Sequence, residues 1–226
     1  MEAGSGVGPK SGAEPALVHE YRPEDEGQWL RCRVLAFLDT AYFDNVLREK
    51  ERYGNPAIEL VAESEGTVVG LIDLECETAP GTVCSARPGL GAMIWHLAVH
   101  PDHRRLGIAG ALLTEATKRA AGRGIARLEA WTRDDAWVQK WYEAEGFRPV
   151  ESYLHVFLDG GRELKGAVRN EIPGLLPVQA FAHYVGEDPE GMRTRFKRVH
   201  QCVLYELGII EPGDALGPGL HRRKSP

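Results

Sequence analysis

The stretch WHLAVHPDHRRLGIAGALL, residues 95–113, decides the fold of this chain. It begins as a short apolar strand, turns at a His-Pro pair, and passes through a basic loop that contains Gly107 into an amphipathic helix. The first N–H groups of a helix have no partners within it, and the helix dipole favours negative charge there. Glycine lets a phosphate approach the backbone closely, and neighbouring arginines add positive charge. The stretch therefore predicts an anion-binding helix N-terminus.

Two motifs resemble those of the GNAT N-acetyltransferase superfamily. The run RRLGIA, residues 104–109, fits the pattern Arg/Gln-x-x-Gly-x-Gly/Ala of that family's acyl-coenzyme A (acyl-CoA) pyrophosphate loop, which admits Ala109. The later string WYEAEGF, residues 141–147, is similar to the family's (L/F/W)-Y-E-x-x-G-F signature. Either string alone is weak evidence, but the order and spacing of the two strings support the resemblance. It is clearest over residues 92–150 and extends over 16–158, with 198–207 as the closing strand. The Rossmann and Walker-type phosphate loops are absent from the sequence.

The resemblance implies acetyl-CoA as co-substrate and no metal. The pantetheine arm is expected to pair with the backbone of Leu97 and Val99 as an added strand. Asp135 stands where many members have an Asn that bonds this arm, and it is equally suited to cap a helix. The pyrophosphate is expected at a cradle that comprises Arg104, Arg105, Leu106, Gly107, Ile108, Ala109 and Gly110.

Acetyl transfer needs a general acid that protonates the leaving thiolate and a base that takes a proton from the amine. The resemblance implies Tyr142 as the acid, since a phenol with a pKa of about 10 suits a thiol of about 8.5. A packed aromatic is the structural alternative for Tyr142.

The base is left open by the sequence. Alignment on the strand puts Met93, which takes no proton, at the family's base position. His96 is the candidate, although on a regular strand it points to the opposite face from Met93 and only a bulge reverses that. A packed histidine is the alternative for His96. The other candidates are Asp73, Glu75, Glu77 and a water chain.

Composition restricts the class of partner. The net charge of −6 and the pI near 5.8 argue against general binding of nucleic acid or of anionic membranes. They slightly favour a cationic amine acceptor. The four cysteines form no CxxC pair and no zinc pattern, so we expect reduced thiols in a cytoplasmic protein. No apolar run approaches the ~18 residues of a membrane span.

The order of predicted elements indicates an α/β (α+β layered) domain with a mixed, largely antiparallel sheet of about six or seven strands flanked by helices. One domain is expected over residues 16–208, with disordered tails at 1–15 and 209–226 and an insertion at 159–190 that covers the acceptor cleft. The last strand is expected to be exposed, so a homodimer formed through it is one option for the oligomeric state. The predicted helices are 28–38, 41–53, 107–122 and 135–145, and the predicted strands are 16–21, 58–64, 67–77, 92–99, 127–131, 147–158 and 198–207, with a further strand considered at 177–185.

The leading hypothesis is an N-acetyltransferase that moves an acetyl group from acetyl-CoA to an amine by direct transfer in a ternary complex. The acceptor stays open among small amines, antibiotics, amino acids, polyamines, and protein N-termini or lysines. The alternative is a non-catalytic acyl-CoA sensor or regulatory module of the same fold, which Met93 favours. A structural protein that binds no acyl-CoA is the third hypothesis.

Overall fold

An eight-stranded mixed sheet organises the protein, whose computed structural model describes residues 15–209. The strands lie in the order β1-β2-β3-β4-β5-β8-β6-β7, and the β4–β5 pair is parallel while the other pairs are antiparallel. This confirms the expected fold class, with one strand more than the upper expectation. The strands are β1 Leu17–Glu20, β2 Ala57–Ser64, β3 Thr67–Cys76, β4 Leu90–Val99, β5 Ile125–Thr132, β6 Arg148–Asp159, β7 Gln179–Tyr184 and β8 Arg198–Gly208.

Helices cover both faces of the sheet. Helix α1, Glu26–Phe37, packs on one face, where Trp29 meets Leu71 and its neighbours. Helix α2, Ile108–Gly122, packs on the other, where Leu112 meets Ile72. Consecutive strand residues point to opposite faces, so β3 contributes to both cores. The remaining helices are α3 Ala136–Ala144, α4 Gly160–Leu164 and α5 Pro189–Arg195.

The predicted helix at residues 41–53 is wrong. Residues 38–56, which we call the covering loop, run as turns and extended backbone beside α1. Distant partners hold this loop: Arg33 donates to the carbonyl of Asn45 at 2.8 Å, and Asp135 accepts from the N–H of Ala41 at 3.0 Å. These tertiary contacts outweigh the local helix propensity.

The insertion at 159–190 extends the sheet. Its strand β7 pairs with β6, and α4 packs below β6, where Leu164 joins an apolar cluster with Leu158. The last strand β8 lies between β5 and β6, so the expectation that it is an exposed edge is wrong. The predicted tails fall outside the described residues apart from positions 15 and 209. Within the described range no helix is long and apolar enough to cross a bilayer.

Candidate active site

Strands β4 and β5 separate after a short parallel contact. Their pairing runs from Leu90 opposite Ile125 to Met93 opposite Glu129. Beyond that point, β4 continues beside β3 as far as Val99, and β5 continues beside β8. A cleft therefore opens between the two strands at the centre of the sheet.

A bulge in β4 lies at the start of this cleft. Ile94 is opposite Leu74, while His96 is opposite Asp73, so Trp95 is an extra residue in β4. An extra residue reverses the alternation of faces. His96 and Met93 therefore lie on the same face of the sheet, the face that α1 covers.

The backbone of β4 is oriented toward the cleft at two positions. The N–H of His100 donates to the carbonyl of Val69 at 2.9 Å, so His100 faces β3. Backbone polar groups alternate in direction along an antiparallel strand, which turns Val99 and Leu97 away from β3 and toward the cleft. This is the orientation that pairing with a pantetheine arm requires.

The loop after β4 has a backbone suited to an anion. Arg105 and Gly107 both have left-handed conformations, with φ of 66° and 79°. Within residues 15–209, the N–H groups of residues 105–110 donate no hydrogen bond. A Cβ at Gly107 would meet no atom within 4 Å, so its positive φ, rather than crowding, requires glycine. Successive free N–H groups at a helix N-terminus form a concave anion site, and these residues fit a pyrophosphate.

The side chain of Arg104 already binds other groups of the protein. Its guanidinium pairs with both carboxylate oxygens of Asp39 at 2.6 and 2.9 Å, and donates to the carbonyl of Ala36 at 2.9 Å. It also lies over the ring of Trp137 at 5.1 Å. Arg104 thus fixes the loop to α1 and the covering loop, whereas Arg105 is exposed beside the cradle.

The side chain of Asp135 does not cap α3. It stands at the N-terminal cap position of α3, but its carboxylate makes no capping bond and instead accepts from the N–H of Ala41 at 3.0 and 3.1 Å. Burial raises the pKa of Asp135, and the Ala41 N–H opposes that shift. The residue joins the start of α3 to the covering loop.

Tyr142 lies in an aromatic cluster. Its ring stacks on Tyr205 at 5.7 Å and meets Phe147 and Trp141 edge-on at 5.0 and 5.2 Å. Burial raises the pKa of the phenol, which makes Tyr142 a weaker acid than an exposed tyrosine. Of the other tryptophans near this segment, Trp131 packs on Tyr153 and Trp137 is half exposed.

His96 is buried and has partners at both ring nitrogens. Its Nδ1 lies 3.3 Å from the Nε of Arg33, and its Nε2 lies 2.7 Å from a carboxylate oxygen of Glu51. Because arginine only donates, Nδ1 accepts and the proton is on Nε2, which donates to Glu51. No lone pair of His96 is left for a substrate proton, so this arrangement does not support His96 as the base.

The carboxylates of β3 and the segment after it also have structural contacts. Glu77 accepts from four backbone N–H groups at 2.7 to 3.3 Å. Glu75 accepts from Asn55 and from the indole of Trp95. Burial acts to raise the pKa of both carboxyls, but these hydrogen bonds outweigh it and hold each pKa below its usual range.

Asp73 is fully buried in the sheet. It pairs with Lys50 at 2.8 Å and accepts from the Tyr53 hydroxyl at 3.0 Å, and burial raises its pKa. Sequence reasoning missed both Lys50 and Glu51, because it placed them in a helix and no local pattern indicates their partners.

Comparison with known proteins identifies the family. The model of the acetyltransferase (GNAT) domain matches residues 56–149, from β2 into β6. An acetyltransferase of Yersinia pestis is 32% identical over 107 residues, which is 47% of this chain and 66% of that protein. Residues 56–149 form a GNAT acetyltransferase domain. An acetyltransferase of Pectobacterium atrosepticum is 30% identical over the same shares of the two chains. The match with these curated relatives spans just under two thirds of their length.

Solved structures share the fold of this GNAT chain. The ribosomal-protein-S18-alanine N-acetyltransferase of Escherichia coli superposes with a TM-score of 0.55 at 15% identity, covering 89% of this chain and 99% of the other. An N-acetyltransferase of Staphylococcus aureus gives 0.52 at 17% identity, covering 87% and 100%. At such identities the likeness shows the fold alone.

Two further observations concern the chemistry of the site. In the part of the chain that the structure describes, no group of three or more His, Cys, Asp or Glu residues could hold a metal ion. The four cysteines are free and buried.

Proposed function

We propose that this GNAT protein transfers an acetyl group from acetyl-CoA to a primary amine by direct transfer in a ternary complex. The observation that carries the proposal is the cleft between β4 and β5 beside a helix N-terminus with free N–H groups. The cleft supplies strand-like backbone for an extended arm, and the cradle around Gly107 supplies donors for a diphosphate.

The residues of this chain then have separate roles. Backbone N–H groups of residues 105–110 bind the pyrophosphate, with Arg105 adding positive charge. Leu97 and Val99 hold the pantetheine arm through their backbone. When bound, acetyl-CoA supplies a thioester as the acyl donor. Tyr142 is the proton donor for the departing sulfur, and a water chain takes the proton that the attacking amine loses.

The acceptor enters from the face that α1 and the covering loop occupy. The cradle belongs to α2, which lies on the opposite face of the sheet, so the cleft connects the two sides. Protein N-termini are one acceptor class to test, since the Escherichia coli neighbour is named for such a substrate. The four buried thiols support a reducing compartment such as the cytoplasm.

Ala109 offers a charge test of the cradle. It is half-buried in the first turn of α2, where a glutamate is compatible with the helix dipole. Ala109→Glu should weaken acetyl-CoA binding about tenfold or more through repulsion of the pyrophosphate. Ala109→Gln, which matches its size without the charge, should bind nearly as the unaltered protein does. Titration calorimetry measures both, and equal affinities for the two variants would contradict the assigned cradle.

A second candidate is a non-catalytic acyl-CoA-binding module. Met93 favours it, because this buried side chain lies on the acceptor face and takes no proton. The acetyltransferase and the non-catalytic module are distinguished by measuring the release of free thiol from acetyl-CoA in the presence of a panel of primary amines. Binding without any amine-dependent release would support the module.

A further inference from the structure

Glu51 lies on the acceptor face with a fixed carboxylate. Its oxygen accepts from His96 Nε2 at 2.7 Å, and the side chain is 48% exposed. His96 is itself held by Arg33 and packs edge-on against Trp29 at 5.2 Å. A carboxylate that is oriented by a buried histidine and still reaches solvent has the geometry of a ligand-binding group.

The neighbouring residue anchors this part of the covering loop. Lys50 is 6% exposed and pairs with Asp73 and Glu59. Its Nζ also lies 4.9 to 5.2 Å from the ring centroids of Tyr21, Trp29 and Tyr53. Because the Lys50 side chain is fixed between α1 and the sheet, Glu51 is fixed beside it.

The charges around Glu51 are of both signs. Arg33 and Lys50 are cations and Asp73 and Glu59 are carboxylates, but within ion-pair distance the carboxylate of Glu51 meets only the His96 ring among the described residues. The charged groups that face Glu51 are Arg33 from α1 and Lys50 from its own loop, with the polar His96 ring from β4. The hydrogen bond from His96 outweighs burial and lowers the pKa of Glu51, so its carboxylate is ionised at neutral pH.

A recess of about 450 Å³ adjoins this carboxylate and is lined by residues 46–52. The recess is open to solvent, and its charged lining residues are Arg48, Glu49, Lys50, Glu51 and Arg52. The recess is on the same side of the sheet as His96, which follows the bulge at the start of the β4–β5 cleft.

We propose that Glu51 binds the ammonium group of the acceptor amine and holds it at the α1-side mouth of the cleft. This inference rests on the proposed acetyl transfer and names its acceptor class as a cationic amine. The half-exposed carboxylate of Glu51, which is oriented by His96, complements one ammonium charge, and the recess lies beside it for the body of a small amine or a peptide end.

The test compares Glu51→Gln with Glu24→Gln. Glutamine keeps an oxygen for the His96 hydrogen bond but removes the charge, and Glu24 is an exposed carboxylate just before α1, outside the recess. The probes are spermidine and a peptide that begins with alanine, both cationic, and hydroxylamine, which is neutral at pH 7.5. Rates of thiol release give KM and kcat, and calorimetry gives acetyl-CoA affinity.

Glu51→Gln should raise KM for the cationic probes about tenfold or more and leave kcat within a few-fold, as for lost ground-state binding. Its hydroxylamine reaction and its acetyl-CoA affinity should stay unchanged, and Glu24→Gln should match the unaltered protein throughout. An unchanged KM, or an equal loss with hydroxylamine, would overturn the ammonium site and leave the proposed function standing.

Failure of the proposed function has a different signature. If the unaltered protein does not bind acetyl-CoA, acetyl transfer and the ammonium site are both overturned. If it binds acetyl-CoA but acetylates none of the probes, the ammonium site is overturned and the binding module is supported.

Discussion

Replacement of Lys50 by methionine should strongly destabilise the protein. The Lys50 side chain is 4% exposed, and its Nζ lies 2.8 Å from the carboxylate of Asp73, which is fully buried. Methionine fills a similar volume but leaves Asp73 without its cation. One oxygen of Asp73, Oδ1, has no hydrogen-bond partner among residues 15–209 even with Lys50 present.

The size of the effect follows from the burial of the pair. Two unit charges at 2.8 Å attract by about 6 kcal/mol at an effective dielectric of about 20. Desolvation of both ions offsets part of this attraction. Removal of one partner from a buried pair costs about 3–5 kcal/mol, because a charge stays buried without compensation. We expect Lys50→Met to lower the free energy of unfolding by this amount at pH 7.5.

The loss should depend on pH with a defined sign. Burial raises the pKa of Asp73 in the folded state, and removal of Lys50 raises it further. A carboxyl with a raised folded pKa binds protons more tightly when folded, so the penalty is present above that pKa. It fades as pH falls from the folded pKa of Asp73 in the variant toward its lower folded pKa in the unaltered protein.

Urea unfolding followed by tryptophan fluorescence measures the effect at pH 7.5 and pH 5. The double variant Lys50→Met/Asp73→Asn should recover most of the loss, since no charge is left buried at Asp73. Lys118→Met is the surface control, because Lys118 is 79% exposed in a long 3.8 Å pair. A Lys50→Met loss below about 1 kcal/mol, or one equal at both pH values, would refute the reasoning.

Three further variants test the frame around the site. Gly70→Ala should cost about 1–3 kcal/mol and weaken acetyl-CoA binding, because its Cβ would lie 2.7 Å from the Ile108 side chain in the first turn of α2; unfolding and calorimetry check both. Glu77→Gln should cost about 2 kcal/mol by weakening four backbone contacts, and hydrogen exchange of residues 78–91 should speed up accordingly. Asp39→Asn should free Arg104 and tighten acetyl-CoA binding, with a stability change under about 1 kcal/mol; unchanged affinity would contradict this.

Local patterns in the sequence predicted the regular elements well. The apolar stripe of the helix after Gly107 is buried as expected at Ile108, Leu112 and Ala116. The turn at residues 65–66 has positive φ at both positions, and Gly146 follows α3 with a φ of 89°. These features depend on periodicity and on glycine's backbone freedom, which neighbouring residues reveal.

Contacts between distant residues could not be predicted in this way. The bulge at Trp95 is a property of the pairing between β3 and β4, and no residue type in β4 requires it. The extended course of the covering loop depends on Arg33, Asp135 and Asp73, each supplied by another element. The helical pattern in residues 41–53 was therefore misleading, because the buried contacts of Lys50 stabilise the extended loop more than local helix formation would stabilise a helix.

The sequence by itself determined the family resemblance, the anion-binding loop and the sheet with helices on both faces, because short-range spacing encodes each of them. The tertiary structure alone decided that β8 lies inside the sheet, that Asp39 pairs with Arg104, and that Glu51 accepts a hydrogen bond from His96. Those three facts depend on which surfaces meet after folding. The pairs are separated by tens of residues along the chain, and chain entropy leaves such contacts unspecified until the core has formed.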